Sequence, residues 1–280
     1  MEPSAASLDA VSVLPESYHR LFARAVEVLG GDDRVRALWL SGSLARGAGD
    51  AGSDLGLIVA VADEHHEAFT SSWPEWLADI TTTALAKALP FAPGSFYAVT
   101  TDRDRLDVVV EKAGDTAASF FPTRTVVFDR DGLDARLPEA VPGPGPSATT
   151  IAALVEEQLR QAGMFDVSVT RGDTLLAIEA IYHARHLLYQ LFVEANAPLP
   201  PMGVKRWSDK LTDEQRAVLE ALPTGGRDMA ELTAAHDQVV RVFVEQARPI
   251  CERVGAPWPH ALEQANDLIR RGADRPLGST

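Results

Sequence analysis

A chain of 280 residues can bury one large core or two modest ones, and 46% hydrophobic with 24% charged residues excludes a disordered, collagen-like or coiled-coil main state. Forty acidic residues against 26 basic ones leave a formal charge of −14, which argues against a general binder of nucleic-acid phosphates and favours a small-molecule partner, cationic ones above all. The single cysteine, Cys251, cannot form an internal disulfide, the N-terminal MEPSAASLDA lacks a basic region and an apolar stretch, and no apolar run reaches the roughly 18 residues of a membrane span, so the expectation is a cytoplasmic protein without a membrane partner.

In chain order, the spacing predicts a helix over Ser17 to Leu29, then apolar strands at Val35 to Leu40 and Leu55 to Val61. A helical stretch follows over Glu67 to Leu89, and further strands at Phe96 to Thr100, Leu106 to Val110 and Thr125 to Phe128. Short β-rich runs broken by helices point to an α+β or α/β domain with a mixed sheet. The segment PEAVPGPGPSATT, with four prolines and two glycines, reads as a linker. Beyond it the period turns helical: Ile151, Leu154, Val155 and Leu159 share one face, as do Val239, Val240, Phe243, Val244 and Ala247. Helices are predicted over 151–163, 173–195, 212–222, 229–254 and 259–271, packed as a bundle. The domain expectation is therefore 1–140, a linker at 141–150, and a helical domain at 151–280.

The stretch ALWLSGSLARGAGDAGSDLGLIVAV carries the chemistry. An apolar strand runs into Gly42-Ser43, and after a spacer of ten residues Asp54 heads a second apolar strand. A Gly-Ser turn that opens a helix lets backbone N–H groups approach a phosphate, with the Ser43 hydroxyl as an added donor and Arg46 one turn on. A carboxylate on the neighbouring strand can hold Mg²⁺ against the same phosphates. Ser43 also suits a plain helix N-cap.

These residues resemble the nucleotidyltransferase superfamily, and within it the two-domain aminoglycoside (antibiotic) adenylyltransferases. The pattern matched is Gly42-Ser43, Asp54, and Asp107 in RLDVVVEK as the carboxylate of a later strand. The likeness continues through TRGDTLLAIEAIYHARHLLYQLF and PPMGVKRWSDKL, so it covers most of the chain. It implies an α+β fold with an N-terminal mixed β-sheet domain flanked by helices and a C-terminal helical bundle. It also implies transfer of a nucleoside monophosphate from ATP or another nucleoside triphosphate to a hydroxyl of a small, aminoglycoside-like molecule. Asp54 and Asp107 would hold Mg²⁺, while Gly42, Ser43, Arg46 and Lys205 would hold phosphate.

One position departs from the pattern. Where the family has a second Asp on the strand, this chain has Gly56. On a strand, residues 54, 56 and 58 share a face opposite Leu55, Leu57 and Val59, so residue 56 should point at the metal cleft without a side chain to offer. Two-metal phosphoryl chemistry needs carboxylates that bridge both ions, and losing one should cost about 3–4 kcal/mol of transition-state stabilisation. Three arrangements stay open: Glu111, on the face of Asp107, substitutes; the site binds nucleotide or another phosphate without metal chemistry; or the scaffold runs a different, metal-independent acid/base reaction. A bulge or tight backbone contact also explains a strand glycine.

In the second domain the helix from Asp173 to Glu194 is apolar around much of its circumference, with Leu175, Ile178, Tyr182, Tyr189 and Phe192 as one stripe, which predicts a central place in the bundle. Its polar ridge is Glu179, His183, His186 and Gln190, facing either solvent or a polar cleft. In the cleft arrangement Glu179 is a candidate catalytic general base alongside Glu111, and Tyr182, His183 and His186 are candidate substrate contacts. The two histidines alone lack a full metal coordination set. Trp207 reads as a packing anchor.

Overall fold

The computed structural model describes residues 2–200 and 205–273, with the side chains of the last six of these left aside. They form two compact units, one of residues 2–141 and one of residues 142–200 and 205–273. The architecture is α+β: a mixed sheet with flanking helices in the first unit, helices in the second.

The first unit opens with α1 (Ala5–Val11) and α2 (Glu16–Gly31), followed by β1 (Val35–Leu40), the single turn α3 (Gly42–Ala45) and β2 (Leu55–Val61). Next come α4 (His66–Ser71), α5 (Trp73–Ile80), β3 (Thr83–Ala88), β4 (Ser95–Thr100), β5 (Arg105–Lys112) and β6 (Thr125–Asp129). The six strands lie in the order β3-β4-β5-β2-β1-β6. Only β2 and β5 run parallel; every other neighbouring pair is antiparallel.

β2 lies in the interior of this sheet and all seven of its residues are buried. Its Leu55, Leu57, Val59 and Val61 join the main core with α2, α5 and alternate residues of β4 and β5, while Ile58 and Ala60 face a smaller cluster with Ala37, Trp39 and Leu133. A continuous apolar run is what a strand covered on both faces requires.

The expected helix over Glu67 to Leu89 is two short helices and a strand. Pro74 sits in the first turn of α5, where its missing N–H costs nothing, and the tail TALAKA pairs with β4 as the edge strand β3. Alanine-rich composition favours helix locally, but pairing along β4 decides the conformation. α1 and α7, below, were not expected at all.

In the second unit the helices are α6 (Ala148–Met164), α7 (Asp166–Arg171), α8 (Thr174–Ala195), α9 (Asp213–Ala221), α10 (Met229–Val254) and α11 (His260–Ala273). α6 begins three residues before the periodicity predicts, because the Ser147 hydroxyl accepts from Thr150 N–H and caps it. α8 buries Ala177, Ile181, Ala184, Leu188 and Leu191 against α6 and α10. The stripe expected to be central is exposed at its start: Leu175 is 75% and Tyr182 65% exposed. Small alanines at the helix contact let the backbones approach, so Ala177 and Ala184 take the buried face that the larger residues were expected to hold. No helix among the described residues is long and apolar enough to cross a membrane.

Residues 141–147 carry no regular secondary structure and are mostly exposed. Limited proteolysis with elastase should therefore cut first after the exposed Ala140, since Pro142 blocks a cut after Val141; first cuts inside β2 or α8 would contradict the division into two units. Leu57→Ala, at a fully buried site, should lower the unfolding free energy by about 3 kcal/mol in urea titration.

Candidate functional site

The site-bearing segment begins where β1 ends. Ser41 N–H donates to the Gly56 carbonyl at 2.9 Å, carrying the β1–β2 ladder one step further, and Gly42 then turns the chain with φ +66°, a left-handed conformation that suits glycine. The turn closes into α3, which is only four residues long. The expected helix N-terminus is thus one turn, too short for a helix dipole to draw a phosphate. What the turn offers is backbone N–H groups, Ser43 and Arg46.

Ser43 Oγ donates to Ser53 Oγ at 3.0 Å, and Ser53 Oγ accepts from Asp50 N–H at 3.1 Å and donates to Asp50 Oδ1 at 3.2 Å. Asp50 Oδ1 also accepts from Gly52 N–H at 2.9 Å. This network ties the Gly42-Ser43 turn to the loop that delivers Asp54 to the start of β2.

Gly56 is buried, and its neighbour explains the missing side chain. A Cβ built on Gly56 would lie 2.5 Å from Ser41 Oγ and 3.5 Å from the Ser41 carbonyl oxygen. The close neighbour is thus a side-chain hydroxyl and not backbone, and there is no bulge in the β2–β5 register, which runs unbroken from Leu55↔Leu106 to Val61↔Lys112. That register sets Asp107 directly beside Gly56. Asp107 is exposed, as the position facing away from the main core on β5.

The carboxylate of Asp54 is committed. Arg105 Nε forms an ion pair with Asp54 Oδ1, and the same guanidinium donates to the Gly52 carbonyl at 2.7 Å. Arg105 is held in place from its backbone: its N–H donates to Tyr18 Oη at 2.9 Å, and the preceding Asp104, buried, accepts from Ser17 Oγ at 2.8 Å. Two residues of α2 thereby fix the turn from which Arg105 reaches Asp54. Sequence reasoning missed Arg105. The strand period puts Arg105 on the face of Asp107, two residues on, but does not say which carboxylate it reaches.

Glu111, the proposed substitute, is also committed. Arg124 Nη1 donates to Glu111 Oε1 at 2.6 Å, Arg124 Nη2 to Glu111 Oε2 at 2.9 Å, and Ser119 Oγ to Oε2 at 3.0 Å. The Arg124 guanidinium is fully buried and lies over the Trp39 ring, 4.6 Å from its centroid. A carboxylate held in a two-point pair with a buried arginine is turned toward that arginine and would have to give up part of the pair to serve as a base. Glu111 is thus engaged by Arg124 and Ser119 in this structure.

Mg²⁺ demands near-octahedral oxygen donors. The strand ends offer Asp54, already paired with a guanidinium, and Asp107, with a glycine beside it. Among the described residues no three His, Cys, Asp or Glu side chains group as a possible metal site. These residues do not fit a two-metal centre.

The other candidates belong to the second unit. On α8, Glu179 is exposed; His183 is exposed and lies 4.0 Å from Glu157 Oε1, whose carboxyl is held down at about 2 chiefly by hydrogen bonds from Arg160 and Gln161. His186 is half-buried and stacks with Tyr182, Tyr189 and Trp207, so the structure brings two of the three expected substrate contacts together and directs His183 to α6. Lys205 is exposed. Trp207, expected as a packing anchor, packs face to face on Tyr189 and is 48% exposed.

No protein-family model matches the chain, and no curated protein matches it. Among solved structures it is similar to an aminoglycoside 6-adenyltransferase from Bacillus subtilis, with 12% identity and a TM-score of 0.41, over 92% of this chain and 97% of that one. At that level the chemistry of the two proteins is a separate question for each.

Arg124→Ala would strand the Glu111 carboxylate without its partner and should cost about 3–5 kcal/mol of stability, measured by urea unfolding. Glu111→Gln, which keeps an acceptor, should cost only about 1–2 kcal/mol; equal losses would contradict the pairing described.

Proposed function

We propose that the chain is a nucleotidyltransferase-type protein that takes the phosphate end of a nucleotide at the Gly42-Ser43 turn and holds it without two-metal nucleotidyl transfer. The observation that carries this reading is the Asp54–Arg105 ion pair beside a glycine at position 56. In a two-metal site, carboxylates gather divalent charge to neutralise the triphosphate and activate the attacking hydroxyl. Here one carboxylate is neutralised by a guanidinium and the adjacent position has no side chain. Arg46 lies in the same segment, and the Gly42 turn with Ser43 supplies donors suited to phosphate oxygens.

A second reading keeps the transfer reaction, with a small hydroxylated and cationic acceptor drawn by the −14 charge. One observation favours it: Asp107 remains exposed at the strand position next to Gly56. In that reading Asp54 and Asp107 would hold the metal of a metal–nucleotide complex, with Arg105 moved off Asp54.

Calorimetry separates the two. ATP should bind the wild-type protein with an affinity that Mg²⁺ changes by less than about threefold, while Gly56→Asp combined with Arg105→Gln should gain about tenfold or more in the presence of Mg²⁺, a difference of about 1.4 kcal/mol. Ser41 Oγ is the end of a short rotatable side chain and can turn away from the new carboxylate. Mg²⁺-dependent transfer of AMP by the wild-type protein to any of a panel of aminoglycosides would overturn the first reading in favour of the second.

A further inference from the structure

The hydroxyls of Ser43 and Ser53 and the carboxylate of Asp50 form a hydrogen-bonded chain whose direction is fixed by its last member. A carboxylate only accepts, so Ser53 must give its one O–H to Asp50 Oδ1, at 3.2 Å. Two lone pairs remain on Ser53 Oγ. One accepts the Asp50 N–H at 3.1 Å and the other the Ser43 O–H at 3.0 Å. Every bonding position of the Ser53 hydroxyl is therefore in use, and Ser43 can meet it only as a donor.

The Ser43 hydroxyl is left with lone pairs alone. Phosphate oxygens are acceptors too, so a phosphate that met Ser43 in this state would set lone pairs against lone pairs. Backbone N–H groups of the turn keep protons for an anion, whereas Ser43 has given up its own.

The Ser53 hydroxyl is not what shapes its loop. Asp50 Oδ1 also accepts Gly52 N–H at 2.9 Å, Ser53 N–H donates to the Asp50 carbonyl at 3.0 Å, and Arg105 Nη2 donates to the Gly52 carbonyl at 2.7 Å. The backbone at Ser43 is held independently, its carbonyl accepting Ala48 N–H at 3.0 Å. What the Ser53 hydroxyl adds between the two segments is its hold on the Ser43 proton. Both serines are half-buried, which shields that bond in part from competing water.

We infer that Ser53, backed by Asp50, is a positioning residue that withholds the Ser43 hydroxyl from phosphate, so that an anion at the turn must break the Ser43–Ser53 bond before Ser43 can donate to it. The inference rests on the reading of the Gly42-Ser43 turn as a phosphate site and adds a restraint on that site. With the Ser53 hydroxyl removed and the other bonds of the loop intact, the turn gains a donor. Phosphate binding should then tighten, the opposite of what loss of a structural contact does. Breaking the restraint costs one neutral hydrogen bond, which sets the gain at about fivefold.

The test is calorimetry on the full chain with ATP and with adenosine, in the absence of Mg²⁺. Ser53→Ala should bind ATP about fivefold more tightly than the wild type and adenosine no differently, since only the phosphates would meet Ser43. In a Ser43→Ala background the same substitution should change nothing, because the gain comes through the Ser43 hydroxyl. Ser53→Cys, close in size but a weak acceptor, should reproduce the gain and serves if the alanine variant fails to fold; circular dichroism checks each protein. ATP binding by the wild type with no gain in the folded Ser53 variants, a gain that persists in the Ser43→Ala background, or an equal gain for adenosine would overturn the inference and leave the phosphate reading standing. No ATP binding by any of these proteins would overturn the phosphate reading, and the inference with it.

Discussion

The first unit is organised around the approach of Ser41 to Gly56. β2 lies in the interior of the sheet with both faces covered, and at its entrance the chain from β1 crosses close enough for the Ser41 N–H to bond the Gly56 carbonyl while Ser41 Oγ fills the space a side chain would take. That contact lets β1 continue its ladder to the end and release the chain into the Gly42 turn. A side chain at 56 would need Ser41 Oγ to turn aside; with glycine there, the hydroxyl fills that volume.

Charge in the unit follows the same logic. Where carboxylates come near the sheet, arginines answer them: Arg105 for Asp54, Arg124 for Glu111, Arg34 for Asp32 and Arg36 for Asp131. The last two are surface pairs in which hydrogen bonds from arginine hold the carboxyls of Asp32 and Asp131 below their usual range, and pairs of that kind contribute little to stability. Arg124 is different, because burial over the Trp39 ring makes loss of either partner expensive. In both the Asp54 and the Glu111 pair the neutralising charge is a guanidinium.

Much of this was legible from residue patterns. The bounds of β1 and β2, and the long helices α8 and α10, follow from apolar runs and helical period, because burial on a face leaves its period in the sequence. Asp107 was found because an aspartate between Leu106 and Val108 breaks an apolar strand at a readable position. β3 was hidden, since TALAKA is held by its neighbour β4 and not by its own preference. Arg105 and Arg124 were hidden for another reason: which carboxylate an arginine reaches depends on the turn geometry set by Ser17, Tyr18 and the loop after β5, and no local spacing encodes it. The exposed start of α8 was misread because alanine, the smallest apolar residue, marks the helix contact there while leucine and tyrosine do not. The partner on which Trp207 packs, Tyr189, lies 18 residues away and could not be read from local spacing.

The central claim is that a guanidinium stands where catalysis of the nucleotidyl-transfer kind would need a metal. The most direct measurement is an anomalous-difference map from crystals of the wild-type protein grown with ATP and Mn²⁺, a Mg²⁺ surrogate visible at its absorption edge. The account predicts no manganese peak at the carboxylates of Asp54 and Asp107, with Arg105 still on Asp54. A manganese ion ligated by both aspartates, with Arg105 displaced, would contradict it.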